Sequence, residues 1–338
     1  MKKVIAAFAA AAVAVSMFAF AGCGDKTDPG AVKGDYKEKT AAEMVEILNG
    51  VDAAKIMNLG EKNVGLTVDL SGGFAMGELM SGNGSVKMNV TADVSDIDNV
   101  KAYGTAQVNA EYKVPGEEGT VENKMALNAT AYVVENVAYG AVTGLAENEM
   151  KAKVNLAELF GAERNEDYYS PVKALVEAAP SEETEAMTQT LTMLSQLGVK
   201  FYADTTSGVK VKVSATADTV WGALDMVAAG DEEFAETVTM VKENVTLNKF
   251  QFDVYFALDG EGVFSQASVV CDVDVTVKGT LLSALMETEG MPDLTAHVKG
   301  SVALATTTTK VNVPENLATD ETYYDATEAL LEMLADMF

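Results

Sequence analysis

Alternating apolar and polar residues run through most of the chain after residue 60 and predict a fold rich in β-strands. Residues 86–92 and 108–114 place apolar side chains at every second position, which is the period of a strand with one dry and one wet face. Residues 121–133 repeat this period after a turn at Pro115-Gly116, and the chain is expected to turn again at Glu135-Asn136. Several antiparallel strands in succession are therefore expected.

The strongest predicted strand pair lies in the C-terminal half. Residues 250–258 and 271–277 both alternate, and the turn sequence Asp259-Gly260-Glu261-Gly262 comes soon after the first of them. A further strand is predicted around residues 296–304. One side of the hairpin is expected to carry only apolar residues, namely Phe250, Phe252, Val254, Phe256, Leu258, Cys271, Val273, Val275 and Val277.

Helical spacing of apolar residues marks the segments between these strands. A first helix of about four turns is expected from Met44 to Met57. A helical block begins at Ser170-Pro171 and continues in a helix that opens at Ser181 and ends at Gly198. Further helices are predicted near residues 221–228, 231–241, 281–286 and 323–334.

This order of elements predicts an α+β fold, with a large curved antiparallel sheet and helices packed on one of its faces. A chain of 338 residues, of which 48% are hydrophobic, can form one large domain or two ordinary ones. We expect a single domain over residues 40–338. The helices and strands loosely repeat their order, so two similar halves, at about 40–165 and 166–338, remain an alternative.

The first 23 residues predict an exported lipoprotein. Lys2 and Lys3 precede a long apolar run, which is typical of a signal peptide, here residues 1–22. The sequence Phe20-Ala21-Gly22-Cys23 resembles the bacterial lipobox, with Phe20 at the usual leucine position. The resemblance implies that Cys23 is acylated and anchors the chain to the membrane. A spanning helix is disfavoured, because it needs about 20 apolar residues and this run ends at Cys23 before an acidic stretch.

Residues 23–39 are predicted to be the acylated cysteine and a polar tether, because residues 24–39 mix charge, Gly and Pro with few apolar side chains. Extended, such a tether reaches roughly 50 Å. With Cys23 acylated, Cys271 is the one cysteine left, so an intramolecular disulfide is impossible.

The charge balance excludes one class of partner. The chain has 24 Lys and Arg against 51 Asp and Glu, a formal net charge of −27, and Arg164 is its one arginine. Nucleic-acid binding requires basic patches that displace counterions from phosphates. No nucleic-acid partner is therefore expected.

Few residues point to catalysis or to a cofactor. His297 is predicted on the wet face of its strand without a nucleophile, and Cys271 is interpreted as an inert core thiol. Zinc needs clusters of Cys and His, which the chain lacks, and no cofactor is predicted. Calcium remains open for three acidic groups: Asp96 with Asp98, Asp272 with Asp274, and Asp231-Glu232-Glu233. We interpret the second group as a solvated strand face and the third as a helix cap. The glycine-rich residues 71–84 lack phosphate-loop spacing and predict a flexible turn region.

A lipobox, a polar tether, an early helix, strands of the AYVVENVAYG kind and a last strand ending in KVNVPENLA together resemble the LolA/LolB/LppX-like group of envelope lipoproteins and its uncharacterised Gram-positive relatives. The resemblance covers about residues 40–320 and is one of layout. It implies a half-open β-barrel closed by helices around an apolar cavity for acyl chains or lipids. This chain is longer and more acidic than the compact carriers.

We therefore predict a non-enzymatic lipoprotein on the extracytoplasmic face of a bacterial membrane, which binds a lipid or another apolar ligand. The predicted cavity lining is Met88, Met125, Phe250, Phe252 and Phe256, although the same residues would suit an ordinary core. One alternative is a surface-displayed structural or adhesive module with a solid core, whose acidic exterior contacts cations or cell-envelope proteins. An exported hydrolase has the least support.

Overall fold

A computed structural model describes residues 30–56, 58–60, 62–96, 99–116, 119–159, 161, 184–230 and 232–337. The predicted signal peptide, the lipobox and Cys23 lie outside these residues. The helix starts predicted at Ser170-Pro171 and Ser181 also lie outside them.

Thirteen strands of the described chain form one open sheet, in the order β1-β8-β9-β10-β11-β12-β2-β3-β4-β5-β6-β7-β13. Neighbouring strands are antiparallel, except that β13 runs parallel to β7. Strands from both halves of the chain share this sheet, since β12 pairs with β2. The predicted α+β class with one large sheet is confirmed at this level. The strands are β1 (Lys37–Lys39), β2 (Asn63–Met76), β3 (Met80–Asp93), β4 (Lys101–Gly116), β5 (Gly119–Val134), β6 (Val137–Thr143), β7 (Met150–Asn155), β8 (Lys200–Asp204), β9 (Val209–Thr216), β10 (Val245–Leu258), β11 (Phe264–Val277), β12 (Leu294–Thr307) and β13 (Tyr324–Asp325).

Each described helix except the last lies between strands along the chain. They are α1 (Ala41–Asn49), α2 (Ala53–Ile56), α3 (Leu156–Leu159), α4 (Thr184–Gln196), α5 (Ala217–Ala228), α6 (Glu232–Asn244), α7 (Gly279–Met286) and α8 (Thr327–Met337). The helix expected from Met44 to Met57 is wrong in length, because α1 ends at Asn49 with Gly50 as its C-cap. Its start is well defined, since Thr40 and Glu43 form a capping box. The segment around Tyr323, predicted as helical, precedes α8.

A hydrophobic core joins α1 and α4 to the β8 end of the sheet. Met44 of α1 and Phe201 of β8 are among its most deeply buried side chains, and Val211 of β9 completes the contact. Leu191 and Leu194 of α4 pack against the same cluster, as their helical spacing predicts.

A smaller core lies near the other end of the sheet, where Tyr139 of β6 packs against Leu317 and Tyr323. The rings of Tyr139 and Tyr323 meet edge to face, with centroids 5.4 Å apart. The expectation that the last strand ends in KVNVPENLA is wrong. β12 ends at Thr307, and the following chain packs Leu317 in this cluster from a short 3₁₀ turn.

The turn chemistry predicts the hairpins correctly. Glu135 and Asn136 both have positive φ, 50° and 63°, which fits a two-residue hairpin turn between β5 and β6. The turn between β10 and β11 lies at Asp259 to Gly262, as expected, and the Asp259 carboxylate accepts backbone hydrogen bonds from Glu261 and Val263.

The glycine-rich residues 71–84 are not a flexible turn region. They form the half of the β2–β3 hairpin nearest its turn, and the pairing of the two strands is continuous from Val64 with Ala92 to Met76 with Met80. The glycines make room for larger neighbours: a Cβ on Gly73 would lie 2.4 Å from the Asn83 side chain, and one on Gly82 would lie 2.7 Å from the Phe74 ring. Pairing with neighbouring strands overrides the low strand propensity of glycine here.

Candidate ligand-binding face

One side of the sheet is apolar across ten consecutive strands. We call it the apolar face, and the opposite side the polar face. Antiparallel partners project to the same side of a sheet, so a row of paired residues shows the composition of each face. The central row of the apolar face, from β8 to β6, is Phe201, Val213, Val254, Val269, Val302, Val68, Met88, Ala106, Ala129 and Val142.

The middle of the apolar face is incompletely covered. Helices α1 and α4 cover it at β8 and β9, where Phe201 is buried. Further along the same row, the Val254 side chain is 38% exposed and Val302 is 37% exposed. Aliphatic side chains on a central strand are more often buried, so this surface is suited to contact with another apolar group.

All five residues of the predicted cavity lining lie on the apolar face. Phe250, Phe252 and Phe256 are on β10, Met88 is on β3 and Met125 is on β5. None of the five is fully buried, and Phe252 and Met125 are each about 40% exposed.

The predicted lining residues do not form one compact cluster. β10 and β5 are six strands apart in the sheet, which is roughly 29 Å at the usual strand spacing. The three phenylalanines share one strand with Val254 and form a continuous strip. Met125 lies on the same face but on β5, six strands away. The sequence therefore identifies the face correctly, but a single small pocket lined by all five residues is not what the described chain shows.

The polar face contains the most deeply buried charge of the described chain. Asp253, predicted to lie on a wet strand face, is 0% exposed, whereas its neighbours Phe252 and Val254 on the apolar face are substantially exposed. Tyr255 and Ala257, which share its face, are also buried. The expectation that the phenylalanine side of β10 is the buried side is therefore wrong in the middle of this strand.

Asp253 is held in a dense set of polar contacts. Its carboxylate accepts hydrogen bonds from Ser214 at 2.5 Å and Gln251 at 2.7 Å, and the Lys212 ammonium lies 3.0 Å away. Burial alone would raise the pKa of Asp253, but these hydrogen bonds and the Lys212 charge outweigh it, so the pKa lies below its ordinary value. Lys212 in turn lies over the rings of Tyr202 and Tyr255.

The chain segment that covers this part of the polar face is residues 30–36, which we call the N-terminal strap. The Gly30 carbonyl accepts hydrogen bonds from Gln266 and from Ser268 of β11. The Tyr36 ring packs edge to face on Tyr255, with centroids 6.0 Å apart. Immediately after the strap, β1 pairs with β8.

Asp204 fixes the strap close to its C-terminal end. Its carboxylate accepts hydrogen bonds from the Thr206 hydroxyl and amide and from the Asp35 amide. These hydrogen bonds hold the pKa of Asp204 far below its ordinary range. The Tyr36 hydroxyl is buried with no hydrogen-bond partner among the described residues. Burial, assisted by the Asp204 charge, raises the pKa of Tyr36 to about 12.

The strap corrects the predicted tether. A free polar tether was expected through Lys39, but residues 30–39 belong to the folded unit. Only residues 24–29 separate Gly30 from Cys23, and they span at most roughly 25 Å from one to the other.

A cleft of about 430 Å³ lies elsewhere on the molecule. It is open to solvent and is lined by Lys101, Val134, Glu135 and residues of the 311–318 segment. None of the five predicted lining residues contributes to it. Its walls combine charged and apolar groups, so it offers no continuous surface for an acyl chain.

The remaining candidate residues that the structure describes lie apart from the predicted lining or along strand faces. His297 is exposed on β12, as predicted, and its strand neighbours in register are Asp274 and Gly73. Cys271 is half-buried on the apolar face rather than fully buried. Asp272 forms an ion pair with Lys249, and Asp274 accepts a hydrogen bond from Asn248, while Asp98 and Asp231 lie outside the described residues.

Within the described ranges, no group of three or more His, Cys, Asp or Glu side chains could hold a metal ion. None of the described helices combines the length and the apolar composition needed to cross a bilayer.

Sequence reasoning missed the buried Asp253 cluster and the strap that covers it. One signal was present: several polar residues around Asp253 are short serines, namely Ser214, Ser268 and Ser301, although Lys212 is long and charged. The covering segment is more than two hundred residues away in sequence, so no local pattern connects it to β10.

Comparison of the chain with protein-family models, with curated proteins and with solved structures finds no match. The resemblance to the LolA/LolB/LppX-like group therefore remains a prediction from the sequence.

Proposed function

We propose that this protein is a membrane-anchored, extracytoplasmic lipoprotein that binds an acyl chain or another apolar ligand on its apolar face. The observation that carries the proposal is the exposure of Phe252, Val254 and Val302 in the middle of an otherwise continuous apolar surface. Covering such side chains contributes about 25 cal/mol per Å² of apolar surface removed from water. The protein acts by binding and not by catalysis.

The proposal includes a curved, half-open sheet. An open sheet of more than about ten strands curls because each strand pair adds a right-handed twist. Curling towards the apolar face would bring the β3 to β5 side, with Met88 and Met125, closer to the phenylalanine strip on β10. That curvature would form a long apolar trough whose shape suits an elongated hydrocarbon chain.

The proposed anchor is Cys23, acylated at the lipobox. With residues 24–29 as the only link to the strap, Gly30 and the polar face beneath it lie within roughly 25 Å of the membrane. Two or three acyl chains would hold the protein there stably. Incorporation of labelled palmitate, and its loss in the Cys23→Ser variant, tests the anchor separately from ligand binding.

Ligand binding is tested by titrating a fluorescent fatty acid into the chain from residue 24 onward. Val254→Asn and Val302→Asn each place an amide on the exposed apolar face, and we expect about five- to tenfold weaker binding from each. Thr295→Asn, on the exposed polar side of β12, is the matched control and leaves the affinity unchanged. Equal affinities in all four proteins would overturn the proposal and favour a structural or adhesive module.

A further inference from the structure

Part of the polar face, on strands β3 to β5, carries side-chain amides instead of charges. Four of these amides are exposed, and we call the four residues the amide patch: Asn89 of β3, Gln107 and Asn109 of β4, and Asn128 of β5. The charged residues beside the patch, Asp69 and Lys87, lie 3.6 Å apart as an ion pair. The surface is therefore close to neutral, although the whole chain has a formal net charge of −27.

The four amides lie close enough together to contact one ligand. Gln107 and Asn128 are directly opposite each other in the register, so their Cβ atoms are about 5 Å apart. Asn89 is a diagonal neighbour of Gln107, and Asn109 is a diagonal neighbour of Asn128, each at about 7–8 Å. The amide patch is therefore a compact surface over three adjacent strands.

Most of these amides are available to a ligand. The side chains of Asn89, Gln107 and Asn128 form no hydrogen bond with another described residue. Asn109 uses one donor, which bonds the Ser85 hydroxyl at 3.0 Å. Because an amide carries both N–H donors and a carbonyl acceptor, the patch can donate and accept hydrogen bonds at several neighbouring points.

An exposed aromatic ring borders the patch. Tyr103 of β4 and Tyr132 of β5 are opposite each other, with ring centroids 5.0 Å apart and ring planes inclined by 33°. Tyr132 packs against the Tyr139 core, whereas Tyr103 is 36% exposed. On the other side of Tyr103, β3 and β2 present only Thr91 and Gly65, which are too short to cover the ring. One side of the Tyr103 ring is therefore open to contact with an apolar group.

Beyond the two tyrosines, the same side of the sheet leads into the open cleft of about 430 Å³. Lys101 and Val134 in its wall are two residues along β4 and β5 from the tyrosine pair, so they project to the same side. The 311–318 segment contributes the rest of the lining together with Glu135, and it includes Glu315. The cleft therefore continues the surface of the amide patch as a concave site with polar and apolar groups.

Amides on a neutral surface next to an open aromatic ring suit a pyranose sugar. Sugar hydroxyls both donate and accept hydrogen bonds, and the C–H groups of a pyranose ring form an apolar surface that packs on an aromatic ring. An anionic polymer is disfavoured by the net charge of the chain and by Glu135 and Glu315 in the cleft. A protein partner would need a larger apolar centre than the Tyr103 ring provides.

We propose that the amide patch, Tyr103 and the cleft together bind a neutral polysaccharide chain. The polysaccharide lies from the cleft over the Tyr103 ring and across the amide patch, which extends roughly 20 Å along β4 from Tyr103 to Asn109. A single sugar is too short to make these contacts. The site is on the opposite side of the sheet from the proposed lipid site, so the inference does not depend on lipid binding.

Calorimetric titration of the chain from residue 24 onward, which keeps every described residue, tests the ligand class. The probes are neutral hexasaccharides of glucose, of mannose and of N-acetylglucosamine, the corresponding single sugars, and an acidic hexasaccharide of galacturonic acid. We expect at least one neutral hexasaccharide to bind, and its single sugar and the acidic hexasaccharide to bind about tenfold or more weakly. No binding of any neutral hexasaccharide, or stronger binding of the acidic one, would overturn the proposal.

Matched variants test the location of the site. Tyr103→Ala removes the exposed ring and should weaken binding of the neutral hexasaccharide about tenfold. Its control is Tyr112→Ala, because Tyr112 is 39% exposed on the same strand but on the apolar face. Asn128→Ala should weaken binding about three- to tenfold, whereas Asn123→Ala, on the apolar face of β5, leaves the affinity unchanged. Equal affinities within either pair of variants would contradict the proposed site.

The sugar and lipid sites are distinguished by testing each variant with both ligands. Tyr103→Ala should bind the fluorescent fatty acid as the parent does, and Val254→Asn should bind the hexasaccharide as the parent does. Loss of both ligands in either variant would contradict two separate sites on opposite faces of the sheet.

Discussion

At the scale of single residues, Asp253 is the least expected feature of the molecule. A charged side chain in the middle of a sheet is stable only when other groups replace its lost hydration. Ser214, Gln251 and Lys212 supply those groups. Tyr36 of the strap packs on Tyr255, which shares the face of Asp253.

Replacing Asp253 is expected to destabilise the fold. Asp253→Ala leaves Lys212 without its partner, and we expect a loss of about 3 kcal/mol in the free energy of unfolding, measured in urea. The exposed Asp69 of the Asp69–Lys87 pair is the control, because Asp69→Ala should cost less than about 1 kcal/mol. Similar losses in the two variants would show that the Asp253 cluster is not a stabilising unit.

The same cluster predicts an acid dependence. The folded pKa of Asp253 lies below the unfolded value of about 3.9, so its stabilisation is present above that pH and is lost as the pH falls through the folded pKa. The free energy of unfolding of Asp253→Ala should therefore fall less than that of the parent below pH 4.

Tyr36 should make the free energy of unfolding depend on pH in the alkaline range. Its folded pKa of about 12 lies above the ordinary value of 10, so it contributes stability that is fully present below pH 10 and is lost as the pH rises towards 12. Tyr36→Phe removes a buried hydroxyl that has no partner among the described residues. We expect equal or higher stability at pH 7, and a smaller loss between pH 10 and pH 12, in urea titrations.

The control for Tyr36 is Tyr324, whose side chain is exposed. The free energy of unfolding of Tyr324→Phe should match that of the parent at pH 7 and between pH 10 and pH 12. A marked loss of stability in Tyr36→Phe at pH 7 would mean that the hydroxyl has a favourable contact in solution.

At the scale of elements, the N-terminal strap depends on close approach to β12. A Cβ on Gly30 would lie 2.5 Å from the Ser301 Cβ, which is too close for an undistorted contact. Gly30→Ala should therefore detach the strap, lower the free energy of unfolding by about 1–3 kcal/mol and speed hydrogen exchange in residues 31–36. Gly140→Ala is the control, because its Cβ would meet nothing closer than 3.9 Å. Unchanged exchange in Gly30→Ala would contradict a tightly docked strap.

The elements also show what sequence patterns can and cannot predict. The hairpins at Glu135-Asn136 and at Asp259 to Gly262 are predictable, because turn chemistry and period-2 alternation are local signals. The strand assignment of Gly72 and Gly73 is not, because pairing with β12 decides it. Likewise, the apolar face is predictable from alternation, but the burial of Asp253 is not, because the strap that packs on this part of the polar face comes from a distant part of the chain.

At the scale of the whole molecule, the two faces of the sheet have separate roles in this account. The polar face is covered at β10 to β12 by the strap, which leads towards the predicted anchor at Cys23. The apolar face stays open between the helices at β8 and the far strands. The proposed anchor and the proposed ligand would therefore use different faces of one sheet.

Native mass spectrometry of the chain from residue 24 onward, purified gently from its bacterial host, shows whether the apolar face carries a ligand. Starting at residue 24 keeps the strap, whereas starting at Lys39 would remove it. We expect extra mass that organic extraction removes and that matches a lipid. The fraction of protein that carries this mass should be smaller in Val254→Asn and unchanged in Thr295→Asn. A clean apo mass that persists after lipids are added would contradict apolar ligand binding.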